Sequence, residues 1–206
     1  MSADKKEHII NTAIELFAER GFEGTSIRDL AAKADVNIAM VNYYFGSKEK
    51  LFEALIEHKA SYMRERLEEI INNTTKSDIE KIDSVIEIYV NRILSEHSYH
   101  RLIHQEIMLQ QREFVHNSII KLFSTNLQII KSIIEEGIKK KVFKKVDPEL
   151  TVSSITGTIN QVMLSKSMCC ILLNEKRDLN PYTDEAFRKR LISHLKQLMR
   201  SHLLND

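Results

Sequence analysis

Residues 21–51 carry the side chains best suited to contact another macromolecule. A capping box at residues 26–29 predicts a short helix over about 27–34. Asn37 is a good N-cap for a second short helix over about 38–45. Two short helices joined by a tight turn, the second polar on its outer face, are typical of a helix-turn-helix that places a recognition helix in the DNA major groove.

Three histidines have helical spacing. His97, His100 and His104 follow steps of three and four, so that His100 and His104 could face one side and bind a soft divalent metal. Arg101 stands where the HExxH motif of zinc proteases requires glutamate, which excludes that activity. Ser98 can also cap a new helix and move His97 off the shared face. We favour surface or core histidines, and we predict no metal site.

The remaining reactive side chains do not form a catalytic group. Cys169 and Cys170 are adjacent in an apolar stretch, without a disulfide framework or a CxxC spacing. Buried free thiols are favoured over a thiol sensor. The sequence contains no Gly-x-Ser-x-Gly motif, no glycine-rich phosphate loop and no convincing nucleophile–base pair. We therefore predict no catalytic residue, no cofactor and no enzymatic activity.

The composition favours a helical protein without a strong overall charge. The 206 residues include only 5 Gly and 2 Pro, too few for a turn-rich sandwich or barrel. The net charge is +1, and residues 1–50 carry seven basic and eight acidic side chains, so contact with a polyanion must be local. The polar amino terminus and the lack of about 18 successive apolar residues predict a cytoplasmic protein with no membrane partner.

Hydrophobic periodicity predicts an all-α fold of about nine helices. A capping box at residues 4–7 opens the first helix, and Gly21 ends it with Phe22 folding back on Phe17. The later helices are predicted at about 47–72, 78–96, 99–111, 115–141, 148–173 and 184 onward, with a loop at 174–183.

No flexible linker separates the predicted domains. We place a helix-turn-helix domain at residues 1–47 and a larger helical domain at residues 48–206. The long helix that follows Ser47 must then be shared between them.

Two stretches of this sequence resemble a known signature. Residues 21–31, GFEGTSIRDLA, and residues 36–51, VNIAMVNYYFGSKEKL, are similar to the tetracycline-repressor (TetR) family of bacterial regulators. The resemblance is specific over about the first 55 residues and architectural beyond them. It implies that residues 1–47 are a DNA-binding domain and that residues 48–206 are an effector-binding and dimerisation domain. It also implies a homodimer that binds a double-stranded DNA operator through the helix-turn-helix and pairs through its last two helices.

The resemblance also implies which residues meet DNA. Val41 and Phe45 lie four apart and pack inward, which leaves the outer face of the second short helix toward the groove. Arg28 can reach a base edge or a phosphate, and residues 38–40 can touch thymine methyl groups. Tyr44 and Lys48 resemble the family's phosphate contacts. The predicted DNA-binding residues are Ser26, Arg28, Asn37, Ile38, Ala39, Met40, Asn42, Tyr43, Tyr44 and Lys48.

Two positions depart from the family pattern. Asn42 stands where tyrosine is most frequent; asparagine can read adenine, but we favour a phosphate contact or a local hydrogen bond. Lys141 stands where many relatives have glycine in a Gly-x-x-x-Gly-x-Phe pattern, of which Gly137 and Phe143 remain. The sequence therefore does not fix where the helix before Phe143 ends.

The carboxy-terminal two-thirds contains no specific motif. An apolar pocket with a few polar groups is predicted for a small-molecule effector, although the same residues could lie at the surface or in an interface. Its candidates are His104, Gln105, Met108, Asn160, Gln161 and Met163. Small residues and the apolar last helix favour a four-helix dimer interface over a simple internal core. Its candidates are Ser154, Gly157, Thr158, Leu191, Leu195 and Leu198.

These features predict a DNA-binding transcriptional regulator. The family resemblance implies a homodimeric repressor that binds a pseudo-palindromic operator and is released when a small-molecule effector binds. The alternative is a helical protein-interaction adaptor, or a small-molecule-binding protein or enzyme, with a non-functional helix-turn-helix.

Overall fold

The computed structural model describes residues 2–173 and 179–205, and all regular secondary structure in these ranges is helical. The helices are α1 (Ser2–Arg20), α2 (Ile27–Lys33), α3 (Ile38–Phe45), α4 (Lys48–Ile71), α5 (Asp78–Ser95), α6 (His97–Leu109), α7 (Glu113–Lys139), α8 (Pro148–Leu164), α9 (Lys166–Leu172) and α10 (Glu185–Leu203). The all-α prediction is confirmed. No helix among the described residues is both long and apolar enough to cross a membrane.

The chain packs as two compact units. Unit 1 comprises Met1–Met63 and Ser98–Ser124, and unit 2 comprises Arg64–His97 and Thr125–Asp206. Helices α4 and α7 each contribute residues to both units. This division by packing differs from the predicted functional boundary at residues 47 and 48, which stays a prediction.

Unit 1 is built on a cluster of three phenylalanines. The Phe17 and Phe22 rings stack with centroids 5.4 Å apart, and the Phe52 ring meets both edge-on at 5.4 and 5.3 Å. The predicted return of Phe22 onto Phe17 is thereby confirmed, with Gly21 at φ 73° in the left-handed region that lets the chain reverse. Leu102 and Val115 belong to the same core, so α6 and the start of α7 pack with α1–α4.

Unit 2 is centred on α5, which packs against α8 and α10. Its buried face carries ion pairs as well as aliphatic side chains. Arg200 donates to the largely buried Asp83 at 2.5 Å, and Lys140 lies 3.2 Å from Asp78. Each pair joins α5 to a different part of the chain, so the pairs fix which faces meet as well as covering a buried charge.

Helix α1 begins earlier than the sequence predicts. The capping box at residues 4–7 predicts a start after Asp4, but α1 already includes Ser2 and Asp4 lies in its first turn. An acidic side chain there interacts favourably with the exposed amides of the helix N-terminus, so the residue type fits either position.

Residues 148–173 form two helices rather than one. The chain leaves the helical conformation at Ser165, whose hydroxyl accepts a hydrogen bond from the Met168 backbone N–H at 3.2 Å and so caps α9. The described residues therefore contain ten helices, where the sequence predicted about nine. The apolar pattern continues through the break, which is why periodicity alone does not reveal it. The predicted loop at 174–183 lies outside the described residues over positions 174–178.

The structure fixes the end of α7. The helix stops at Lys139, and Lys141 takes a left-handed conformation with φ 60°. The Phe143 ring then returns onto Gly137, where an added Cβ would lie 2.2 Å from the ring. Lys141 thus adopts, with a side chain, the backbone conformation that glycine adopts most easily, which gives a physical reason for glycine at this position in many relatives.

Lys141→Gly is expected to raise the free energy of unfolding by about 0.5–1 kcal/mol, because glycine avoids the steric cost of the left-handed conformation. Urea denaturation at unchanged m-value measures the change. The control is Lys145→Gly, in the same loop but without a positive φ, which should lower stability by increasing the entropy of the unfolded chain. An equal loss in both variants would contradict strain at Lys141.

Candidate nucleic-acid interface

A closed capping box starts α2. The Ser26 hydroxyl oxygen accepts from the Asp29 backbone N–H at 3.1 Å, and the Ser26 backbone N–H donates to the Asp29 carboxylate at 3.0 Å. Hydrogen bonds from the Ser26 side chain and backbone lower the pKa of Asp29 below its usual value of 3.8. Since the folded pKa is the lower one, the stabilising contribution is present at neutral pH and is lost as pH falls through that pKa.

The turn between α2 and α3 depends on Asp35, which has φ 51°. The Val36 backbone N–H donates to the Ala31 carbonyl at 3.0 Å across this turn. His8 on α1 donates from Nε2 to the Ala34 carbonyl at 3.0 Å and anchors the end of α2. Sequence reasoning did not identify Asp35 or His8. Asp is one of the residues that tolerates a left-handed turn, which was the available signal for Asp35.

Helix α3 presents the outer face that the sequence predicted. Val41 and Phe45 are buried, as expected, and the Asn37 side chain accepts from the Ala39 backbone N–H at 2.9 Å to cap the helix. Gly46, at φ 77°, ends it. The exposed members of the predicted set are Ser26, Arg28, Asn37, Ile38, Ala39, Asn42 and Tyr43, while Met40 and Tyr44 are half-buried.

Tyr43 is the most exposed large side chain on α3. Its relative exposure is 84%, although an aromatic ring of this size normally covers apolar surface. The Tyr44 ring meets the Tyr43 ring edge-on at 5.4 Å and lies 6.2 Å from the buried Phe45 ring. The exposed ring is therefore supported by a partly buried one, which suits it to contact a ligand surface.

Lys48 is turned toward the protein. Its ammonium group donates to the carbonyl oxygens of Phe22 at 2.9 Å and Thr25 at 3.1 Å. Its Nζ also lies 4.2 Å from the Phe22 ring centroid. Lys48 thus holds the segment that enters α2. A lysine ammonium has three N–H donors, and two of them are used here. The phosphate contact of Lys48 stays a prediction, and it would use the third N–H group.

The predicted effector residues belong to both units. His104, Gln105 and Met108 belong to unit 1, and Met108 is 78% exposed. The other three, Asn160, Gln161 and Met163, belong to unit 2, where Met163 is fully buried. Their role in binding an effector stays a prediction.

The predicted dimer residues also differ in accessibility. Ser154 and Gly157 are exposed, Thr158 is half-buried and Leu198 is 41% exposed. Leu191 and Leu195 are buried in the core of unit 2, at 6% and 0% exposure. Their apolar spacing on α10 thus serves the packing of the chain itself, and we leave these two side chains out of the interface proposed below.

The histidine and cysteine candidates lie mainly in the interior. His100 is buried and His104 is half-buried, and no group of three or more potential metal ligands occurs within residues 2–173 and 179–205. Cys169 and Cys170 are buried free thiols, as predicted. Burial raises the pKa of the Cys169 thiol, which disfavours the reactive thiolate.

Two family models match this chain. Residues 9–55 match the model described as bacterial regulatory proteins of the tetR family, and residues 75–164 match the model described as a tetracyclin repressor-like C-terminal domain. The chain belongs to the TetR family of transcriptional regulators. It is a DNA-binding regulator whose helix-turn-helix is formed by α2 and α3.

Relatives of this TetR-family chain extend over most of its length. YttP of Bacillus subtilis, named a probable HTH-type transcriptional regulator, is 28% identical over 149 residues, which are 69% of each chain. The fatty acid metabolism regulator protein of the same organism is 26% identical over 176 residues, covering 85% of this chain and 88% of that protein. Both relatives are named as regulators.

A solved structure shares the fold. The transcriptional regulator FadR from Bacillus subtilis, crystallised in complex with stearoyl-CoA, superposes with a TM-score of 0.71 at 23% identity. The match covers 92% of this chain and 96% of that one. At this identity the similarity establishes the helical architecture.

Tyr43→Ala and Arg28→Ala are each expected to lower affinity for operator DNA by about tenfold or more, because each removes a side chain predicted to touch DNA. Both side chains are exposed, so the free energy of unfolding should change by less than about 0.5 kcal/mol. Fluorescence anisotropy measures the first quantity and urea denaturation the second. The exposed Asn11→Ala on α1 is the control and should bind like the wild type. Unchanged binding by both variants would contradict this assignment of the DNA-contacting face.

Proposed function

We propose that this TetR-family protein is a homodimeric repressor that binds a pseudo-palindromic operator and leaves it when a small-molecule effector binds. The proposal is carried by the two faces of α3. Asn42 and Tyr43 are exposed on the outer face, while Val41 and Phe45 on the opposite face are buried. Two such helices, related by the twofold axis of a dimer, can meet major grooves one turn of DNA apart, about 34–36 Å. We infer that the protein has no enzymatic activity. We also infer that it acts on DNA in the cytoplasm.

We propose a long-chain fatty acyl thioester of coenzyme A as the effector class. Two observations support it: one relative is named for fatty acid metabolism, and one protein of the same fold was crystallised with stearoyl-CoA. The six effector candidates named above are the first positions to test. To release DNA, the effector must bind the DNA-incompetent state more tightly, and a tenfold preference per site contributes about 1.4 kcal/mol.

We propose that α8 supplies part of the dimer interface. An added Cβ at Gly157 would meet no atom within 4 Å, so the helix surface there is open in the single chain. The hydroxyls of Ser153, Ser154 and Thr158 each donate to the carbonyl four residues earlier. The donor of each hydroxyl is thus used within its own helix, and these residues form a face of small groups that another helix can approach closely.

Purified protein should bind one duplex from its own upstream intergenic region with nanomolar affinity, as expected of a specific regulator. Anisotropy with duplexes that tile the region, at two salt concentrations, measures this against a scrambled duplex. Stearoyl-CoA should then release the bound duplex, whereas free coenzyme A and stearate should not.

Binding that stearoyl-CoA leaves unchanged would contradict the effector class but not operator recognition. No preference for any tile, followed by failure of a random-sequence selection, would contradict operator recognition itself.

Gly157→Ala is expected to weaken the dimer while leaving the single chain at least as stable. The methyl group fits the open space and favours the helix by about 1 kcal/mol, but it would separate two closely packed α8 helices. Sedimentation equilibrium measures the dimer dissociation constant, which should rise by about tenfold or more. Gln128→Ala, exposed on α7, changes helix propensity without adding bulk and is the control. A dimer unaffected by Gly157→Ala would place the interface elsewhere.

A further inference from the structure

A buried charge lies in unit 1, outside the predicted DNA-contacting face. Glu106 on α6 is only 5% exposed. Arg112, in the segment between α6 and α7, donates from Nη2 to both oxygens of the Glu106 carboxylate. A carboxylate removed from water needs such a partner, because an unpaired buried charge is strongly destabilising. The guanidinium of Arg112 is therefore held firmly against α6.

The same guanidinium contacts the segment that enters α2. Arg112 Nη1 donates to Glu23 Oε1 at 2.5 Å, and its Cζ lies 4.2 Å from the Phe22 ring centroid. Lys48 Nζ lies at the same distance from that ring and 3.9 Å from Glu23 Oε2. We refer to Phe22, Glu23, Lys48, Glu106 and Arg112 as the Arg112 cluster.

The segment held by the Arg112 cluster is short and tightly packed. Thr25 is buried and its hydroxyl donates to the Gly21 carbonyl at 2.9 Å. An added Cβ at Gly24 would lie 2.3 Å from the Arg20 carbonyl oxygen, so the chain passes against the end of α1. Residue 26 follows at once as the N-cap of α2. Glu23 and the N-cap of α2 therefore lie in one short, closely packed segment.

We propose that Arg112 is a positioning residue for operator binding. It fixes residues 21–26, and through them the N-terminus of α2, where Ser26 and Arg28 meet DNA. This proposal rests on the proposed function, operator binding, and on the predicted DNA contacts of Ser26 and Arg28. Arg112 acts through Glu23 and Phe22, and it needs no contact of its own with the operator.

A substitution of Glu23 can distinguish two effects on operator affinity, the positioning of α2 and the repulsion between a negative charge and DNA. Its side chain is 73% exposed and negative, and it lies three residues before Ser26, a predicted DNA-binding residue. If only charge mattered, Glu23→Gln would remove repulsion of the DNA phosphates and strengthen binding. If Arg112 positions α2 through Glu23, the same substitution weakens binding. The two explanations therefore predict opposite signs.

The test compares operator affinities of four proteins by anisotropy at one salt concentration. Glu23→Gln is expected to weaken binding by about three- to tenfold, the size typical of coupling through a contact network. Glu19→Gln on α1 is the matched control, since it removes one exposed negative charge whose nearest cation lies 4.0 Å away. It should bind as well as the wild type or slightly better.

The double variant Glu106→Gln/Arg112→Gln, which avoids a buried unpaired charge, should bind as weakly as Glu23→Gln.

Adding Glu23→Gln to that double variant is the decisive step. The triple variant should bind no more weakly than the double variant, because the contact that Glu23 makes with Arg112 is already absent. Additive losses would overturn the proposal, as would stronger binding or unchanged affinity for Glu23→Gln in the wild-type background. Circular dichroism and urea denaturation report the folded fraction. If the double variant does not fold, the opposite signs expected for Glu23→Gln and Glu19→Gln still decide the question.

Wild-type binding in the same assay separates this proposal from the proposed function. A wild type that binds its operator, with variants that bind equally well, overturns the role of Arg112 alone. A wild type that binds no duplex, even after a random-sequence selection, overturns both.

Discussion

Helices α2 and α3, of seven and eight residues, are too short to be stable by themselves in water. Their geometry must be imposed by the side chains beneath them and by the segments that enter and leave them. Leu30, Val41 and Phe45 supply the buried contacts, and the capping box at residues 26–29 supplies the start of α2. The rest of unit 1 can be understood as the support that these two helices require.

That support combines apolar burial with directional contacts. The Phe17–Phe22–Phe52 cluster fixes where the α1–α2 segment lies, but aromatic burial tolerates small sliding. Hydrogen bonds from Lys48 to two carbonyls, and from Arg112 to Glu23, are directional and set the orientation of the segment. Because Glu106 is buried, breaking its pair with Arg112 carries a larger cost than breaking an exposed ion pair.

Much of this could be predicted from the sequence, because caps and glycines act locally. The starts of α2 and α3, the stops at Gly21 and Gly46 and the buried pair Val41 and Phe45 all follow from neighbouring residues. The break at Ser165 could not be predicted, since the apolar pattern continues through it. The inward orientation of Lys48 and the burial of Leu191 and Leu195 depend on partners distant in sequence, which periodicity does not identify.

The charge of residues 1–50 explains why positioning matters so much in this chain. Seven basic and eight acidic side chains provide little nonspecific attraction for DNA. A larger share of the operator affinity must then come from contacts that depend on distance and orientation, such as those predicted for Arg28 and Tyr43. A helix-turn-helix with an excess of positive charge could lose some alignment and still remain on DNA. This chain lacks that excess, so on the proposal above the interactions that align α2 and α3 contribute to operator binding alongside the predicted contact residues.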